Sequence, residues 1–430
     1  VKPKAVLAYC REKGIRSIDL RFADLGGAWK HVTFPVSALT ENAFESGFGQ
    51  EVTLRGLPHE TREQMVLLPI AEANFVDPLV DQPTLVILSN VLDALSRQES
   101  WMDSRCVASR SVQYLQSTGI ADAAQIRAFQ PFSLNQPRTE VSDIPIPSSR
   151  QFLGCGALDP DFSFRCQLAA VAAEAGVTIE RHYRAQKSTS EVVLGASAIP
   201  ELCDDLMMVR YLIDQLSSNH GGRLIHANTS ASTQWMLSRA GEPIFSGASH
   251  QGLSDVGWYA LGGIMEHATT IAAIGLATPT LSCDTEYRWS KSVSSVTPEA
   301  LCKVILGYHD PRQRAIEYRG MPSEGNPYLQ MAAILMAMID GIQNKYSIAS
   351  QANQAKSNHA GANPVREEEA VAPDPSSIAT GESGVLDLAL LRQALRDDSD
   401  FLLVGDVFSE PLLEALSRFL EPHHDSSPAG

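Results

Sequence analysis

RAIEYRGMPSEGNPYLQMAAILMAMIDG, residues Arg314 to Gly341, is the stretch from which the rest of this 430-residue chain can be placed. Its first part alternates. Ala315, Glu317 and Arg319 fall on one face of a strand, and Arg314, Ile316 and Tyr318 on the other. A carboxylate and a guanidinium on one strand face need a reason, because such groups are seldom buried unless paired. Asn326-Pro327 ends the strand, since proline cannot donate to a ladder but sits well in the first turn of a helix. From Tyr328 to Ile342 the run is apolar almost all round, the pattern of a helix buried on most sides. A charged strand face held against a core helix is therefore predicted.

The flanking sequence adds a small α+β unit on the N-terminal side. Residues 4–13 read as an amphipathic helix. Strands follow at 17–22 and 28–35 around the turn Asp24-Leu25-Gly26-Gly27, and further apolar strands at 62–93. Residues 104–120 read as a helix stopped at Gly119, and 133–156 as a Pro/Ser/Asn-rich loop. A helix at 162–174, a hairpin at 179–195 and helices at 199–218 and 254–274 come next. The 199–218 helix carries Glu201, Asp204 and Asp205 in its first turn, favourable against the helix dipole. Residues 350–384 have few large apolar residues and read as a flexible insertion. Residues 385–422 return to short amphipathic helices. Residues 1–100 and 101–430 are the expected domains.

Composition narrows the function. With 44% hydrophobic and 20% charged residues the chain is of ordinary globular type. A net charge of -16 and a pI near 5.1 argue against general binding to nucleic acid or anionic membranes, which need basic surfaces. Seven cysteines without a C-x-x-C pair argue against a disulfide framework or zinc finger and suit a reducing cytoplasm. No apolar run reaches about 18 residues, so no membrane span is expected.

R-x-I-E-x-R at 314–319, N-P-Y-L at 326–329 and D-G-I-x-N-K at 340–345 resemble the end of the catalytic domain of type I glutamine synthetase. The helix ending S-T-G-I at 117–120 and the N-terminal order L-R-F-A-D-L-G-G then K-H-V-T-F-P are similar to that family too. The resemblance spans nearly the whole chain. It implies an α+β fold: an N-terminal β-grasp domain, then a catalytic domain of curved antiparallel sheet with helices. It also implies ATP and two divalent ions, Mg²⁺ or Mn²⁺, clamping phosphate oxygens through carboxylates and a His.

Carried over residue by residue, the resemblance assigns metal-ligand positions to Glu191, His226 and Glu317. Arg319 takes the place of the Arg that meets glutamate and phosphate. Ser230 matches a nucleotide-contacting Ser, and Gly222 belongs to the Gly-rich glutamate loop. Other positions depart. The G-P-E-x-E-F strand is read at 128–133, with Gln130 and Phe132 in place of carboxylates. Tyr183 replaces the Glu of H-H-E, and Asn228 the second His of the 223–230 element. Gly49 stands where the ammonium-site motif has its acid, and Ala315 where a further Arg is usual. Half of the ligand positions survive, a poor set for Mg²⁺. The bland readings also stand: His226 as a hydrogen-bonded strand histidine, and Glu317 with Arg319 as a structural ion pair.

Together these imply a degenerate glutamine synthetase-like protein, a pseudoenzyme with a structural, regulatory or ligand-binding role. The alternative is an active γ-glutamyl-amine ligase with an altered acceptor, using ATP and Mg²⁺ or Mn²⁺. A homo-oligomeric ring, hexameric or doubled, or a mixed assembly with an active homologue follows from the resemblance. No nucleic-acid or membrane partner is expected.

Overall fold

The computed structural model describes residues 2–54, 61–135, 152–185, 189–219, 223–225, 230–277, 287–294, 300–305, 314–348 and 377–421. Contacts divide the chain into two compact units. One comprises Val1–Val107, Arg127–Ala231 and Ser323–Tyr328; the other comprises Ala108–Ile126, Ser232–Pro322 and Leu329–Gly430.

The first unit opens with α1 (Pro3–Glu12), which starts on proline and buries Val6 and Cys10. Strands β1 (Ser17–Ala23) and β2 (Trp29–Pro35) form the expected hairpin. After the short helix α2 (Ala43–Ser46) come β3 (Phe48–Leu54), β4 (Thr61–Val76) and β5 (Thr84–Asp93). The sheet order is β2-β1-β5-β4-β3, with β1 and β5 parallel and the other pairs antiparallel. Ile18 and Leu20 are fully buried on one face of β1. Its other face is buried too, because Arg21 is held at 2.8 Å by both Asp19 and Asp77 and lies 4.3 Å over the Tyr211 ring. In the hairpin turn Gly27 has φ +85°, and a side chain there would sit 2.7 Å from the Asn326 backbone nitrogen. Asn326 in turn donates to the Asp24 and Leu25 carbonyls.

Next in the chain are α3 (Ser104–Thr118), β6 (Ala123–Asn135), α4 (Phe162–Glu174), β7 (Ile179–Arg184), β8 (Ser190–Ser197), α5 (Glu201–Asn219) and β9 (Arg223–Ile225). β6 lies beside β8, β8 pairs antiparallel with β7, and β9 pairs antiparallel with β6.

The second unit carries β10 (Ser230–Arg239), the two-residue β11 (Glu242–Pro243), α6 (Asp255–Glu266), α7 (Ala268–Leu276), β12 (Tyr287–Ser294), β13 (Cys302–Ile305), β14 (Ala315–Pro322), α8 (Pro327–Asn344) and β15 (Ser377–Leu386). It ends in α9 (Leu388–Asp397), α10 (Asp400–Leu403) and α11 (Glu410–Phe419). Its strand order is β15-β12-β13-β14-β10, with β11 on β10. The deciding stretch folds as read: β14 and then α8, whose residues Leu329 and Met331 to Ile339 are each at most 1% exposed. The Gly262-Gly263 pair lets α6 cross α8 with backbones touching, since a Cβ on Gly263 would collide with the Ala337 carbonyl.

Two readings change. The single helix expected at 254–274 is two helices meeting at His267. The imidazole is drawn to Asp340 at 3.0 Å and Asp398 at 2.7 Å, and it stacks on Phe401 at 3.8 Å. Strand β15, paired antiparallel with β12, takes up the end of the segment read as a flexible insertion. The remainder of that insertion lies outside the described residues. Among the described residues no helix is long and apolar enough to cross a membrane.

Candidate functional site

In the second unit the predicted pair comes together on β14. Arg319 Nε donates to Glu317 Oε1 at 2.6 Å, and Gln234 Nε2, from the neighbouring β10, donates to Glu317 Oε2 at 2.8 Å. Period-two alternation sets Glu317 and Arg319 on one face, and strand pairing brings Gln234 beside them. Glu317 is 7% and Gln234 1% exposed. Both carboxylate oxygens are thus engaged by N–H donors, one of them cationic, in a largely dry setting.

In the first unit Glu191 lies directly opposite Tyr183 in the β7–β8 ladder, and the Tyr183 hydroxyl donates to its Oε1. The Tyr183 ring meets Phe152 edge-on at 6.1 Å. The opposite face of these strands is covered by α4. There Arg165, 1% exposed, reaches Asp159 at 2.5 Å and Ser190 Oγ at 2.8 Å. His182 faces the same helix, and burial together with the Arg165 charge lowers its pKa.

The alternation also places the two β6 residues matched to the lost carboxylates. Phe132 packs on Phe164 of α4 at 5.8 Å, and Gln130 accepts from Arg210 of α5 at 3.1 Å. Both therefore point to the helices, away from the Tyr183–Glu191 side. The β6 residue on that side is Phe129, whose ring lies 5.6 Å from the Arg181 guanidinium carbon. Alternation adds Pro131, so neither residue on this face brings a carboxylate.

Ser230 is exposed at the start of β10. Gly222, His226 and Asn228 lie outside the described residues. Gly49 is in β3 opposite Val66, with open space where a side chain would project.

A pair of divalent ions needs several oxygen ligands converging with free lone pairs. The described residues do not fit that requirement. Glu317 accepts an N–H donor on each oxygen, Glu191 accepts a phenol, and the side of β6 that carries Phe129 brings no carboxylate. Among the described residues no three His, Cys, Asp or Glu side chains gather as a metal site would require.

Two neighbours of Glu317 escaped the sequence reading, Gln234 and Lys303. Lys303 is the one polar position in the apolar run Cys302–Ile305, which was the available signal. Nothing in the sequence paired either with Glu317, because that needs the strand order.

Comparison with known proteins agrees with this geometry at the level of fold. Residues 102–396 match the family described as glutamine synthetase, catalytic domain. Glutamine synthetase of Aquifex aeolicus is 26% identical, over 96% of this chain and 93% of the relative. That of Escherichia coli K12 is 26% identical over 95% and 93%. The cryo-EM structure of Plasmodium falciparum glutamine synthetase superposes with a TM-score of 0.77 at 16% identity, over 98% of this chain and 95% of that one. That likeness gives the fold: an N-terminal half-barrel sheet and a larger curved sheet with helices.

Proposed function

The chain belongs to the glutamine synthetase family, and we propose that within it this protein is a pseudoenzyme, one that keeps the family fold without its ATP-dependent ligation. The observation that carries the reading is the capped carboxylate of Glu317. Arg319 and Gln234 each donate to one of its oxygens, and among the described residues no three His, Cys, Asp or Glu side chains converge as a divalent ion would need. The Tyr183–Glu191 pair and Phe129 support it from separate strands. Phosphoryl transfer relies on bound cations to neutralise the transferring group, and removing them forfeits most of the rate.

The role left is structural, regulatory or ligand-binding. Assembly into a homo-oligomeric ring, or with an active homologue, belongs to this proposal. Light scattering tests it, a monomer counting against it. A second reading, an active γ-glutamyl-amine ligase, is favoured by one observation: the open space at Gly49, where a larger amine would enter.

The deciding experiment is ATP hydrolysis and γ-glutamyl transfer, with ammonium and with alkylamines, in Mg²⁺ or Mn²⁺. No turnover above background is expected. Robust turnover that Glu317→Ala abolishes would refute the pseudoenzyme reading.

A further inference from the structure

His267 sits where α6 gives way to α7, and it is 5% exposed. Its Nε2 lies 3.0 Å from Asp340 Oδ2 of α8, and its Nδ1 lies 2.7 Å from Asp398 Oδ1, just past α9. A neutral imidazole has one N–H donor and one lone pair, whereas a carboxylate only accepts. Two carboxylates on the two ring nitrogens therefore require both nitrogens to carry hydrogen, and the ring is an imidazolium on geometry alone. The remaining oxygens are used as well. Asn344 Nδ2 donates to Asp340 Oδ1 at 2.9 Å, and Thr270 Oγ1 of α7 donates to Asp398 Oδ2 at 2.7 Å. The Phe401 ring of α10 stacks on the imidazole at 3.8 Å, and Tyr346 meets it edge-on at 6.1 Å. Glu266, the last residue of α6, is the acid next to it in sequence. All of these residues belong to the second unit.

Removing the proton sets a ring lone pair against one carboxylate. The side chain of Asp398 is 38% exposed and that of Asp340 20%, so Asp398 is the one that can turn to water while the remaining N–H stays with Asp340. We propose that His267 is a proton-dependent latch on helices α9 and α10: the imidazolium holds Asp398 and Phe401 down, and loss of its proton to solvent lets residues 388–403 open locally while α8 stays folded. Burial opposes the charge, yet the hydrogen bonds to the two carboxylates raise the pKa to about 9. Because that lies above the unfolded value near 6.5, the latch is closed at neutral pH and released as pH rises through about 9. Leu391, Leu395, Phe401 and Leu402 remain as apolar anchors, so opening becomes more frequent rather than complete. The latch does not depend on the metal site.

Hydrogen exchange of the full chain tests this, each rate divided by the intrinsic amide rate at its pH. Amides of 391–403 should open about tenfold or more readily at about pH 10 than at pH 7. At both pH values they should open more readily than the fully buried α8 amides at 331–339, which wait for global unfolding. His267→Gln should open at pH 7 as readily as the unsubstituted chain does at about pH 10. Asp398→Asn gives the neutral ring a donor for its lone pair, so it should shrink the alkaline step, and it serves if His267→Gln fails to fold. The latch is overturned if 391–403 keep the same protection at both pH values, if they exchange no faster than α8, or if Asp398→Asn retains the step at full size.

Discussion

Tyr328 donates its phenol hydrogen to Asp204 Oδ1 at 2.7 Å, both residues lying in the first unit. The same carboxylate receives Arg105 through Nε at 3.0 Å and Nη2 at 2.9 Å. Burial raises the pKa of Asp204, and Arg105 opposes that rise. The two partners should therefore be unequal. Tyr328→Phe removes one hydrogen bond of a carboxylate that keeps a bidentate ion pair, at a cost of about 1–2 kcal/mol. Arg105→Met leaves the buried carboxylate without its counter-ion, at a cost of about 3 kcal/mol or more. Urea unfolding of both variants checks this; equal losses would show that the ion pair is not what keeps Asp204 charged.

His267 should make stability fall at alkaline pH. Its surroundings are Asp340 of α8, Asp398 after α9, and Tyr346, with Glu266 adjacent in sequence. Burial works against the imidazolium, but its hydrogen bonds to both carboxylates win and raise the pKa to about 9. A folded pKa above the unfolded value near 6.5 means the stabilisation is complete below about pH 6.5. It is lost as pH rises through about 9. The contribution is on the order of 2–3 kcal/mol. His267→Gln should flatten the stability profile between pH 7 and 10 relative to the unsubstituted chain. An unchanged slope in denaturant titrations would remove the imidazolium from the account.

Gly263→Ala should be the most damaging one-methyl change in the second unit. The added Cβ meets the Ala337 carbonyl and the Gly341 backbone, neither of which is a flexible side-chain end. Separating α6 from α8 would open packing along a fully buried helix, at a cost of about 3 kcal/mol or more. A melting temperature within a degree or two of the original would contradict the backbone contact. Gly49→Ala, in open space, is the matched control with little expected change.

Carboxylates restored at two sequence-assigned positions should behave differently. Phe132→Glu puts a charge against Phe164, on the side where α4 packs, and should destabilise by about 3 kcal/mol or more without gaining metal affinity. Tyr183→Glu puts a carboxylate directly across from Glu191. It should add a Mn²⁺-dependent rise in melting temperature absent from the original chain. If Phe132→Glu instead gains the metal response, the face assignment of β6 is wrong.

The contrast between those two positions shows what was legible. Tyr183 and Glu191 were related by a spacing that the hairpin preserves, and the ladder sets them face to face. Gln130 and Phe132 were placed by motif spacing alone. In a strand a slip of one residue inverts every side chain, so motif spacing alone did not say which side of β6 they would take. His267 sat in an apolar helical run, and only carboxylates 73 and 131 residues away explain why the helix breaks there.

The sequence by itself determined the element types, because period-two and all-round apolar patterns report local burial: β14 and α8 stand where Arg314 to Gly341 placed them. It also determined that Glu317 and Arg319 share a face. What fills that face was decided only by tertiary structure. Gln234 and Lys303 arrive there on β10 and β13, strands that β14 meets through sheet order and register. Those are set by which hydrophobic faces must be covered together, a condition on the whole chain that no local stretch encodes.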